Sequence, residues 1–139
     1  MADLGLYTSG VDVPVFSATK PDWETDQAEA MFALLRSSGA SAALVFGDRE
    51  ATLLQGAAAR AGLKVPQDLA LVSYDDEMAD IAPVPLTAVS PAKHRLGVMA
   101  AEVLLRRLKE GDACPIYQVR LRPRIVVRES CGGRKAGKR

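Results

Sequence analysis

The sequence has little of what enzymes usually work with. Among 139 residues there are two cysteines, one histidine and one tryptophan. Cys114 and Cys131 belong to no paired metal or redox motif, and Cys131 lies in a glycine-rich tail, so neither a zinc knuckle nor a dithiol centre is encoded. We read the thiols as reduced and the chain as cytoplasmic. His94 stands between Lys93 and Arg95 at the start of a helical pattern, a setting that favours solvent exposure over catalysis. No Gly-x-Ser-x-Gly elbow and no glycine-rich phosphate loop occurs. A receiver-type phosphoacceptor would need its acidic pair after the first strand. Here Asp75 and Asp76 follow a later one, and Lys93 enters a helix instead of ending a strand. The reading is therefore not an enzyme: no catalytic residue, no metal ligand and no cofactor is assigned.

Long apolar runs are also missing. No window approaches the roughly 18 residues of a membrane span. The start, MADLGLYTSG, lacks the basic and apolar regions of a secretory signal, so neither membrane contact nor export is expected. Charge of one sign is absent too: 18 basic residues face 17 acidic ones. Four of the basic residues fall in GGRKAGKR at 132–139, which leaves the body of the chain slightly acidic. That body is no footprint for nucleic acid, and residues 131–139 read as a basic flexible tail.

What is present is an ordinary globular mixture, 48 % apolar and 25 % charged, enough for one packed domain. Apolar runs at 13–18, 42–46 and 69–73 have strand length. Helical spacing joins Ala28, Met31, Phe32, Leu34 and Leu35 over 25–38, and a second helix is expected over 49–61 with Asp48 as its N-cap. Strand–helix alternation with uninterrupted apolar strands predicts an α/β fold, a doubly wound parallel sheet covered on both faces. The prolines of 77–90 suggest an extended connector. A long helix follows from Pro91 to Lys109, with Leu96, Met99, Val103, Leu104 and Leu108 on one stripe. Residues 116–121 and 124–128 read as closing strands.

Function candidates sit where strands end. Asp48 follows AALVF and Asp75-Asp76 follow LALVS, and the carboxyl ends of parallel strands form the ligand crevice of open α/β sheets. A carboxylate there can accept hydrogen bonds from a ligand, cap a helix or close a turn, and the residues alone leave these open. Trp23 lies in the polar loop PDWET after a strand-like run, where its indole can meet a ring or fold back over the sheet.

Residues 42–108 resemble the effector-binding domain of the lactose/galactose repressor family. The resemblance rests on Gly-Asp after a strand, Ala-Gly-Leu-Lys-Val-Pro-Gln-Asp at 61–68 and the strand ending Tyr-Asp-Asp. It continues with Pro-Leu-Thr-Ala-Val at 85–89, Leu-Gly at 96–97 and Val-Val-Arg-Glu-Ser at 126–130, so it runs from about Leu4 to Ser130. It implies part of one lobe of a two-lobed fold like that of periplasmic sugar-binding proteins, over residues 1–130. It further implies sensing of a small-molecule effector (a sugar, a nucleobase or a related metabolite) and homodimerisation. DNA would be reached only through a domain this chain does not contain. By position, Trp23, Gly47, Asp48 and Asp75 fall at the effector, and Thr52, Gln55, Gly56, Met78 and Ile81 at the dimer interface. Three departures leave the effector's identity open: Gly47 in place of a frequent asparagine, Ser73 in place of a glycine, and Pro91 with Lys93 at ligand-contact positions. One wall of a cleft implies weak effector binding, or none. A fragment of a solute-binding transport protein and a stand-alone flavodoxin-like interaction module are the alternatives.

Overall fold

The structure is a computed structural model that describes Val15 and residues 25–133. The strand expected at 13–18, Trp23 and residues 134–139 lie outside the described residues, Val15 apart. The chain forms α1 (Thr25–Ser38), β1 (Ala42–Val45), α2 (Asp48–Arg60), β2 (Ala70–Tyr74), β3 (Thr87–Ser90), α3 (Lys93–Glu110) and β4 (Arg124–Val126). Short 3-10 turns occupy Gly111–Ala113 and Glu129–Cys131. The strands lie in sequence order, with β1–β2 and β2–β3 parallel and β3–β4 antiparallel.

Side-chain alternation builds the core. Ala43 and Val45 of β1 register with Leu71 and Ser73 of β2, and Ser73 in turn with Ala88 of β3, so these five share one face. Against that face lies α2 with Ala51, Leu54, Ala57 and Ala58, and α1 contributes Met31, Phe32 and Leu35 to the same cluster. The alanines of α2 let helix and sheet approach closely, and Leu54, Leu71 and Leu86 fill the centre completely buried.

The opposite face departs from expectation. Coverage of both faces was expected, yet α1 and α2 cover one only. Leu44, Phe46 and Ile125 remain 70 %, 80 % and 68 % exposed. The ring of Phe46 stacks on that of Tyr74, with centroids 5.0 Å apart. Nor does α3 return to the sheet: none of its residues is buried. Continuous apolar strands signal burial on both sides without saying which segment supplies the cover.

Four further expectations are corrected. Residues 87–90 are not connector but β3, because the prolines end at Pro85 and the four residues after it keep their backbone donors, pairing with β2 and β4. Residues 116–121 form no strand: Ile116 is exposed, and β4 begins only after Pro123. Alternation alone does not make a strand without a partner edge. Finally, α3 starts at Lys93 with Pro91 ahead of it, and Gly47 rather than Asp48 occupies the N-cap of α2.

The end of the chain is clipped into the sheet. The Ser130 hydroxyl donates to the Leu71 carbonyl at 2.6 Å and accepts from the Thr87 amide at 2.8 Å. Arg128 donates through its amide to the Thr87 hydroxyl and through its guanidinium to the Leu86 carbonyl, both at 2.8 Å. These bonds fix the segment after β4 against the middle strands.

Candidate functional site

The carboxyl ends of β2 and β3 open into a cavity of about 470 Å³. Its walls are Asp75–Glu77 after β2, Ser90–Arg95 spanning the end of β3 and the first turn of α3, and Arg122 with Arg124. This is where parallel sheets offer ligands both backbone and side-chain groups, and the volume is in the range of small-molecule clefts, roughly 300–1,000 Å³.

Backbone conformation marks the same place. Asp75 and Asp76 have φ of 108° and 58°, the only non-glycine residues with positive φ among those described. Such conformations cost about 1–3 kcal/mol each and persist where surrounding bonds hold them. The Asp75 amide donates to the Val89 carbonyl at 3.0 Å, and the Asp76 carboxylate lies 2.7 Å from the Arg128 guanidinium in a largely buried pair. The strained turn points the Asp75 carboxylate to the cavity wall. There the Lys93 ammonium reaches both Asp75, at 3.0 Å, and Glu77, at 2.6 Å. Hydrogen bonds to Glu77 and then Asp75 hold the Lys93 ammonium protonated above its ordinary range. Replacing Asp75 by glycine is expected to stabilise the fold by about 1 kcal/mol, through relief of the positive φ, while removing the acceptor. Urea denaturation checks this; a loss of stability would mean that the turn is not strained.

Asp48 does something else. Its carboxylate is buried at 5 % exposure and lines no part of this cavity. One oxygen accepts the Ser73 hydroxyl at 2.5 Å, and the other accepts the amides of Glu77 at 2.7 Å and Met78 at 3.0 Å. Burial pushes its pKa up, but the bonds from Ser73 and from the amides of Met78, Glu77 and Asp76 outweigh that, and the net shift is downward. Asp48 thus ties the start of α2 to the end of β2 and to the loop that carries Asp75, and its expected place as helix cap is taken by Gly47. Gly47 likewise stays outside the cavity lining, and its φ of 121° is required at the turn from β1 into α2. The one hint in the sequence was Ser73 in place of a glycine, since it is this hydroxyl that donates to Asp48.

The expected interface residues gather on another face. Thr52, Gln55 and Gly56 of α2 line an apolar hollow of about 410 Å³ with Ala59, Leu63 and Val84. Next to it, Ala79 and Ala82 are buried and turn Met78 and Ile81 outward. Gln55 lines this hollow and also braces it. Its amide donates to the Val84 carbonyl at 2.8 Å and accepts from the Val84 amide at 3.1 Å, so it shapes the face from behind. Arg122 and Arg124 were missed as site residues. Their signal was arginine at every second position in VRLRPR. Among the described residues no group of three or more metal-ligating side chains forms, and no helix is long and apolar enough to cross a membrane.

A sheet with its ligand crevice at the strand ends and a helix leaving that crevice unpacked defines one part of a two-lobed binding fold. The family model described as periplasmic binding protein-like domain matches residues 5–131, and the chain belongs to that family. It is similar to the ribose operon repressor of Haemophilus influenzae, 37 % identical over 98 residues, which cover 70 % of this chain and 29 % of that protein. It is also similar to the HTH-type transcriptional repressor PurR of Vibrio campbellii, 35 % identical over 92 residues, 65 % of this chain and 27 % of the repressor. Among solved structures, the lac repressor dimer bound to operator and the anti-inducer ONPF superposes with a TM-score of 0.65 at 28 % identity. That match covers 79 % of this chain and 39 % of the repressor chain. These relatives are transcriptional regulators, not enzymes, and the chain spans less than a third of the length of those two curated relatives.

Proposed function

We propose that this chain is the effector-sensing and dimerisation part of a cytoplasmic bacterial transcriptional regulator, without catalytic activity of its own. The observation that carries the reading is the cavity at the ends of β2 and β3, with Asp75 held in its wall by a strained turn. A small-molecule effector, such as a sugar or a nucleobase, would donate its hydroxyl or amino groups to Asp75 after displacing Lys93. Trp23 remains a proposed stacking contact. Homodimerisation would use Thr52, Gly56, Met78 and Ile81. DNA contact is assigned to a separate helix-turn-helix domain of a longer protein. An effector can shift such a regulator only by binding its two lobe arrangements with different affinity. This chain supplies one wall, so binding by it alone is expected to be weak.

A melting-temperature screen with sugars, nucleobases and their phosphates at high millimolar concentration tests the reading. A ligand at 100 times its Kd stabilises the fold by about 2.7 kcal/mol, which raises the melting temperature by several degrees. The rise should disappear in Asp75→Asn. The reading commits to binding that is weak but measurable at these concentrations, so a chain that no compound stabilises, or an Asp75→Asn variant that responds like the parent, contradicts it.

A further inference from the structure

We propose that the cavity takes a small polyhydroxyl molecule bearing an anionic group, a phosphate monoester or a carboxylate, with its hydroxyls on Asp75 and its anion on Arg122 and Arg124. The proposal rests on the effector reading above and names the ligand's chemical class.

The cavity carries charge that has no counterpart. Every acid in the cavity wall is paired within the chain, Asp75 and Glu77 sharing the single positive charge of Lys93 and Asp76 taking Arg128, so that one negative charge is left to set against the arginines that remain. The wall's other cations are not paired. Arg95, Arg122 and Arg124 line the cavity, yet among the described residues none has a carboxylate within 4.0 Å. The free charge of the cavity is therefore positive, in a chain whose body is slightly acidic.

The positions of these groups add to this. The first turn of α3 carries Lys93, His94 and Arg95 and no acid, although a helix N-terminus is itself positive and favours anions. Arg122 and Arg124 come from a separate segment, just before and at the start of β4. Cations thus border the opening from two elements, an arrangement that internal stability opposes and a bound anion relieves. Arginine's planar fork matches the paired oxygens of phosphate and carboxylate and forms charge-assisted bonds with them. A neutral sugar would leave these arginines unused. A free inorganic anion would leave Asp75 unused.

The test follows amide shifts of the 139-residue chain by two-dimensional NMR during titration with matched pairs: ribose and ribose 5-phosphate, glucose and glucose 6-phosphate, glucose and gluconate, and inorganic phosphate alone. At least one anionic member should bind tenfold or more tightly than its neutral parent. It should move the amides of residues 75–77 as well as those of Arg122, Arg124 and Ile125, and weaken with added salt. In the Arg122→Ala/Arg124→Ala double variant the preference should fall at least tenfold. Arg120→Ala, which removes an arginine outside the cavity lining, should leave it unchanged. The spectrum of each variant reports its fold directly. Equal binding of neutral and anionic members overturns the proposal and leaves the effector reading standing. Inorganic phosphate matching the esters, without shifts at 75–77, also overturns it. Silence from every compound overturns both.

Discussion

Replacing Asp48 by alanine is expected to lower the unfolding free energy by about 3 kcal/mol, a large share of what a domain of this size has. The side chain is buried and accepts three hydrogen bonds, from the Ser73 hydroxyl and from the amides of Glu77 and Met78. Without the carboxylate these donors are stranded in a site water reaches poorly. Asp48→Asn should cost less, because its amide oxygen can still accept from Glu77 and Met78 while its nitrogen donates to the Ser73 hydroxyl, so that only the charge is lost. Ser73→Ala added to Asp48→Ala should cost less than its effect alone, since the orphaned hydroxyl leaves with it. The sign with pH is also fixed. Because the Asp48 pKa is lowered in the fold, its contribution is present above the unfolded carboxylate pKa of about 3.9 and is lost as pH falls through the lower folded value. The gap between parent and variant should therefore close in acid. Urea midpoints at pH 7 and pH 3 measure it. A difference under about 1 kcal/mol at pH 7 would contradict the assignment of Asp48 as the tie between the start of α2 and the cavity loop.

The second large effect concerns self-association. The proposed dimer face sets exposed Met78 and Ile81 beside the apolar hollow lined by Thr52 and Gly56. In a two-fold interface every substitution acts twice. A charge at Ile81, costing about 2 kcal/mol per site, should weaken the dimer by about 4 kcal/mol, or roughly a thousandfold. Sedimentation equilibrium should find the parent dimeric at micromolar concentration and Ile81→Asp monomeric. Leu104→Asp serves as the counter-test, because Leu96, Leu104, Leu105 and Leu108 of α3 form the other exposed apolar surface. A monomeric parent sinks the dimer. Dissociation by Leu104→Asp with Ile81→Asp unaffected moves the interface to α3.

Helical spacing made α1 and α2 legible, and short apolar runs bounded by turn residues made β1 and β2 so. α1 runs over Thr25–Ser38, where the spacing places it. β3 was hidden because its four residues follow two prolines and carry no pattern long enough to read. The run at 116–121 misled for the converse reason: it alternates correctly but finds no neighbouring strand. The site was half legible. A carboxylate after a strand marks the crevice, and Asp75 lies there. Whether such a carboxylate faces a ligand or the interior depends on what donors surround it. For Asp48 these come from Ser73, 25 residues away, and from amides 29 and 30 residues away. No local pattern reports that. Nor does composition reveal that Arg122 and Arg124 come beside Asp75, since the fold alone brings these segments together.

The central claim is that the ends of β2 and β3 form an effector cavity centred on Asp75. The most direct test is a map of which backbone amides move when the best compound of the melting screen is titrated into the chain. The account predicts saturable shifts at 75–77 and 90–95, lost in Asp75→Asn while the rest of the spectrum keeps its positions. Shifts confined to the α2 hollow of Thr52, Gly56 and Val84, with 75–77 unmoved, would contradict it.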